Sequence, residues 1–214
     1  MRHCSRLARF TVIVTGLGLV WGIVSCGPDR QLGEEAKVKQ AFDSCKNALI
    51  NEQTDQAMVY VPRDVDAYLN QLKVEAGIPV PGVSAPQNPT ATPGVDLLLR
   101  SALEAKVPDD LRPKLTFRLL LQTILDKRLL NPRDVRQIDR GSISVNGNRA
   151  AVELYYQGSL TALHLPFIKE DNAWKLDILA ILPSAELLMR LDRAIKGESE
   201  TKQVEQLVSK LPSL

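Results

Sequence analysis

The feature that most constrains this fold is a change of period at Ile143. From there to Leu182 apolar side chains recur at every second position, which puts them on one face of a strand. Ser142 to Val145 reads as a first strand. Asn146-Gly147 supplies a hairpin turn, because both residues accept the positive φ of a type I′ turn. Ala150 to Gln157 returns, Gly158-Ser159 allows a second turn, and Leu160 to Lys169 is a third strand. Glu170-Asp171-Asn172 turns again into a fourth, Trp174 to Leu182. Leu163, Leu165 and Phe167 alternate onto one face, as do Trp174, Leu176 and Ile178. Short turns between successive strands make an antiparallel meander.

Helical periodicity flanks the meander on both sides, so the fold class is α+β: N-terminal helices packed on an antiparallel β-meander, plus C-terminal helices. Glu34 and Glu35 suit a first turn, where the helix dipole favours negative charge. Val38, Ala41, Phe42, Cys45 and Leu49 follow as one apolar stripe. Thr54 can cap a short second helix ended by Pro62. Asp64 can cap a third, with Val65, Tyr68, Leu69 and Leu72 on one side. Gly77 to Gly94 differs in kind. Its five prolines remove donors and fix φ, so the stretch reads as a flexible surface insertion.

Val95 to Lys106 returns to helix, with Leu98, Leu99, Ala102 and Leu103 inward. Asp109 or Asp110 can cap the next, with Pro113 in its first turn. That helix is leucine-rich from Leu115 to Leu130, and its apolar arc is too wide for a surface helix. One side is expected to pack on the meander through Leu163, Leu165 and Phe167. The other is expected to lie under a C-terminal helix capped by Ser184, whose Leu187, Leu188, Leu191 and Ile195 would cover it and leave an apolar groove.

The N-terminus carries a different signal. Arg2, His3, Arg6 and Arg9 form a basic head, and an apolar run from Phe10 to Val24 ends in small residues, the pattern of a secretory signal. The run is shorter than the roughly 20 residues a spanning helix needs. Ile23-Val24-Ser25-Cys26 then resembles the lipobox of bacterial lipoproteins. The resemblance implies cleavage between Ser25 and Cys26, lipid on the Cys26 thiol, and a membrane as partner. Two or three acyl chains on one cysteine make a stable anchor. Gly27 after the cysteine favours an outer membrane where the host has one, since family rules associate Asp there with inner-membrane retention. The expected organisation is a signal peptide at 1–25, a tether at 26–33, an α+β domain at 34–182 with the insertion at 77–94, and a helical extension at 183–214.

Removing residues 1–25 takes away three of the 27 basic residues and none of the 25 acidic ones, leaving a formal charge of −1. Without a basic excess, nucleic-acid binding is disfavoured. Cys4 leaves with the signal and Cys26 carries lipid, so Cys45 has no disulfide partner and reads as a buried thiol. The chain has no CxxC, no HExxH and no His–carboxylate cluster, so no metal, cofactor or catalytic residue is assigned.

Ala41-Phe42 through Ala48-Leu49, Asp55-Gln56-Ala57-Met58 and Tyr60-Val61 resemble the opening helices of NTF2-like proteins. So do Asn148 to Glu153 and Phe167 to Leu176 resemble their closing strands. The resemblance implies a curved sheet wrapped around helices, an NTF2-like cone with an open end. That family hosts isomerases, dehydratases, cyclases and binders, so the fold alone does not choose among them. Glu153, Tyr155 and Gln157 share one strand face, opposite Val152, Leu154 and Tyr156. They could form a polar pocket wall or a solvated sheet face. His164 is expected on the face away from the core. Three functions remain open: a non-catalytic lipoprotein binding an apolar ligand or an envelope protein, an isomerase- or hydratase-type enzyme with a carboxylate in the cone pocket, and a structural component of an envelope complex.

Overall fold

The computed structural model describes residues 28–83 and 93–213. The lipobox residues Ser25 and Cys26, and residues 84–92 of the proline-rich stretch, lie outside the described residues. Among the described residues the chain is α+β. The helices are α1 (Pro28–Ile50), α2 (Thr54–Met58), α3 (Asp64–Glu75), α4 (Pro93–Lys106), α5 (Phe117–Asp126), α6 (Pro132–Arg136), α7 (Leu182–Lys196) and α8 (Glu200–Lys210). The strands are β1 (Ile138–Asn146), β2 (Arg149–Tyr156), β3 (Ser159–Glu170) and β4 (Ala173–Leu176), in one antiparallel sheet of order β1-β2-β3-β4.

The sheet core forms where the α1 stripe meets the inward face of the meander. Val38, Ala41 and Phe42 pack with Ala150, Val152, Phe167 and Trp174. Because α1 begins at Pro28, inside the stretch read as a tether, Glu34 is not in its first turn. Glu34 instead ties helix to sheet, accepting from Lys169 Nζ at 2.9 Å and from Trp174 Nε1 at 2.8 Å. Hydrogen bonds from Lys37, Lys169 and Trp174 hold its carboxyl at about 2.

All three hairpins turn in two residues, but the first two are each shifted by one residue from their expected places, the second lying on Gln157-Gly158 and not on Gly158-Ser159. Asn146 pairs with Arg149, so Gly147 and Asn148 are the central residues. Gly147 takes φ 61° and Asn148 does not turn positive, which is what a type II′ turn needs. The second and third hairpins turn on Gln157-Gly158 and Asp171-Asn172, each with both φ values positive.

Two strand expectations fail for local reasons. Between Glu153↔His164 and Tyr155↔Leu160 the register slips, so Thr161 to Leu163 face Leu154 alone. The Thr161 hydroxyl donates to Leu154 O at 2.9 Å and accepts from Leu163 N at 3.2 Å. Such a bulge breaks the two-residue alternation, and Leu163 emerges 55 % exposed instead of joining Leu165 and Phe167. The fourth strand stops at Leu176. The buried Asp177 carboxylate accepts from Ala180 N at 3.1 Å and starts a 3₁₀ turn, Leu179–Ile181, that runs into α7. Pro183, not a Ser184 cap, stands in the first turn of α7.

The leucine-rich stretch is shorter than expected and packs elsewhere. Pro113 lies in a separate 3₁₀ turn, Arg112–Lys114. The buried Lys73 ammonium donates to Leu115 O at 2.7 Å, and Asp66 accepts from Phe117 N at 2.9 Å. Thr116 caps α5 by accepting from Leu119 N, and Arg128 at φ 54° follows its end. Leu121 and Leu125 bury against Ala48 and Ala57, while Phe117, Leu119 and Leu120 pack with Leu69, Leu72 and Leu103. The wide apolar arc is therefore divided between two groups of helices, not laid on the sheet.

The C-terminal helix does not cover it. Leu187, Leu188, Leu191 and Ile195 are 57, 59, 51 and 85 % exposed. The polar side of α7 faces inward. Glu186 is buried and accepts from Val95 N at 2.9 Å, at the start of α4. Gly94 makes room for this: a Cβ there would sit 2.7 Å from carboxylate oxygens of both Glu186 and Glu200. The proline-rich stretch is thus fastened at both described ends, at Gly94 and at the buried Ile78.

Candidate functional site: an apolar cavity among the helices

Three stripes at helical spacing converge on one space. Val65, Tyr68, Leu69 and Leu72 come from α3. Leu99, Ala102, Leu103 and Lys106 come from α4, and Phe117, Leu120 and Ile124 from α5. Each set follows i, i+3, i+4 or i+7, so each helix presents one continuous side. The space between them measures about 420 Å³. Leu179 and Leu182 close part of it before α7 turns away, and Leu211 and Pro212 lie across another side. The Lys127 ammonium donates to Ser213 O and holds that last segment in place.

Polar ties join the helices at the edges of this space. The Tyr68 hydroxyl donates to the buried Asp96 carboxylate, joining α3 to α4. Arg100 pairs with Glu75 at 3.6 Å between the same helices. Arg112 Nε donates to Val107 O at 2.8 Å and to Leu103 O at 3.2 Å, closing the end of α4. Burial lowers the Lys73 ammonium from its ordinary value, with Asp66 acting the other way. Its bond to Leu115 O fixes the loop that brings Phe117 to the cavity.

Apart from Lys106, the lining is aliphatic and aromatic, with the Tyr68 hydroxyl engaged as described. Such a space favours an apolar guest over water, which needs two to four polar partners. Its size falls within the roughly 300–1,000 Å³ of small-molecule sites.

The strand residues singled out from the sequence lie elsewhere. Glu153 and Tyr155 share the sheet face opposite Val152 and Leu154, away from α1, and neither lines the cavity. Glu153 accepts from Ser142 N at 3.3 Å, and Ser142 holds its carboxyl below the usual range. Gly141 allows this packing, since a Cβ there would lie 2.7 Å from the Tyr155 ring. Gln157 stands in the second turn and donates to Gln137 Oε1 at 2.6 Å. His164 is exposed and pairs across the strands with Glu153. Cys45 is free and buried, and burial pushes its thiol up to about 11.

The α3 and α4 stripes were legible as apolar faces. That they enclose a space depends on their mutual placement, for which periodicity carries no signal. Among the described residues no group of three or more His, Cys, Asp or Glu is placed to hold a metal, and no helix is long and apolar enough to cross a membrane. The chain matches no family model, no curated protein and no solved structure.

Proposed function

We propose that this chain is a membrane-anchored lipoprotein that holds an apolar small molecule in the cavity between α3, α4 and α5, and that it binds its guest without transforming it. The cavity carries this reading. Its walls offer about 420 Å³ of hydrocarbon-lined space, and burial of each methylene there is favourable by about 0.8 kcal/mol. The isomerase or hydratase alternative needs a carboxylate in the pocket. Glu153 lies on the outer face of the sheet, and Asp96 is held by Tyr68.

The anchor is supported by the basic head, the apolar run and the lipobox-like Ile23-Val24-Ser25-Cys26. The body begins close behind it, since α1 starts two residues after Cys26. A helix laid across a four-stranded meander supports an NTF2-like origin for the α1–sheet unit. The proposed guest site lies among the helices beside that unit.

The test uses the full chain kept soluble in a non-ionic amphipol, which brings no free alkyl chain. Equilibrium dialysis should show saturable binding of radiolabelled dodecanol, one per chain. Ala102→Trp should fill the cavity and abolish it. Absence of saturable binding, or equal binding by a folded Ala102→Trp variant, would overturn the ligand reading. Mass spectrometry should find Cys26 acylated as the first residue of membrane-extracted protein, and an unmodified Cys26 would remove the anchor.

A further inference from the structure

We infer that the guest of this cavity is a single-chain anionic amphiphile, a fatty-acid-like carboxylate of roughly a dozen carbons whose head pairs with Lys106. The inference rests on the ligand reading above and adds the chemical class. The length follows from the volume. At about 30 Å³ for each water-sized group, 420 Å³ accommodates roughly a dozen methylenes.

The head group follows from Lys106. It is the charged residue in an otherwise apolar lining, one turn beyond Leu103 on the same side of α4. Lysine stems lie along apolar surface while the ammonium keeps to the polar edge, so the charge belongs at the rim, not the floor. The other basic side chains of α3 and α4 are engaged: Lys73 with Leu115 O and Arg100 with Glu75. Lys106 makes no hydrogen bond or ion pair with the described residues. The neighbouring acid, Asp109, is taken by Arg112 at 2.6 Å. A cation in the last turn of α4 suits the helix dipole, which explains a basic residue there but does not require it to border the cavity. An apolar slot with one unclaimed ammonium at its edge is complementary to one apolar tail with one anionic head.

The experiment compares dodecanoate with dodecanol, in wild type and in Lys106→Met, which keeps the apolar stem and removes the charge. The full chain is used in non-ionic amphipol, ligands stay below micelle-forming concentrations, and Ala102→Trp gives the background. Thermal unfolding confirms that each variant is folded. Lys106→Met should weaken dodecanoate about tenfold, the size of one charge-assisted contact at a half-buried site, and leave dodecanol within about twofold. Shortening the acid by one methylene should cost about fourfold. Equal effects on acid and alcohol, or none on the acid, would overturn the anionic head while leaving the apolar cavity standing. Failure of wild type to bind either ligand would overturn the cavity reading itself, and the inference with it.

Discussion

Helices α1 and α7 carry the same kind of apolar stripe and turn it in opposite directions. In α1, Val38, Ala41 and Phe42 are buried against the sheet, and polar residues reach round the helix edges to its rim: Glu34 to Trp174, Asp43 to Arg140 at 3.2 Å. In α7 Leu187, Leu188, Leu191 and Ile195 face outward, and the inward side makes the directional bonds. Glu186 accepts from Val95 N, Gln203 Nε2 donates to Met189 O at 3.0 Å, and Arg193 pairs with Glu200 at 3.3 Å. A stripe shows that a helix has an apolar face. Which face is buried is decided by what the opposite face must satisfy, since a buried amide or carboxylate without a partner costs about 1–3 kcal/mol.

The contrast can be broken from either end, and the largest effect belongs to α1. Phe42→Ala should destabilise the protein by about 3–5 kcal/mol in urea unfolding, as large-to-small changes of buried aromatics do. A loss below about 1 kcal/mol would mean that α1 is not the centre of the sheet core. Next comes the polar side of α7. Glu186→Leu should cost about 1–3 kcal/mol by leaving the first amides of α4 without their acceptor. Burial raises the Glu186 carboxyl, but Arg190 and the Val95 and Gly94 amides outweigh it, so its pKa lies below the ordinary 4.5. A carboxyl lowered by folding stabilises above its unfolded value and loses that contribution as pH falls through its folded one. The gap between wild type and Glu186→Leu should therefore be constant near neutral pH and narrow below about pH 4.5. A gap unchanged into strong acid would show that the carboxylate charge is not what orients α7. The smallest effect is expected on the outward stripe. Leu188→Glu with Leu191→Glu should leave unfolding within about 0.5 kcal/mol of wild type. A larger loss would mean that these leucines are covered in the folded protein.

The same contrast shows how far the sequence could be read. Element types were legible where one chain segment decides them: the α1 stripe, the Gly- and Asn-containing turns, the return to helix at Val95. Cys45 was legible too, because it shares the stripe of Ala41, Phe42 and Leu49. What escaped were features set by distant polar groups. The leucine-rich stretch reads as one helix, but Lys73 and Asp66 reach across from α3 to fix Leu115 and start the helix at Phe117. The outward turn of Leu163 needs the Thr161 bulge, which is a matter of pairing. Glu153, Tyr155 and Gln157 could be pocket wall or solvated face on alternation alone, and α1 occupies the other side of that sheet. The cavity is the furthest from local pattern, because it is what three helices leave between them.

Cys45 has a use that follows from its surroundings. A thiol reacts as its thiolate, and with the group pushed up to about 11 and buried on the inward side of α1 the closed protein presents almost none at neutral pH. Alkylation mapped to Cys45 should then proceed only when α1 lifts from its neighbours. Its rate is a built-in clock for that opening, readable in the wild-type chain without a single substitution.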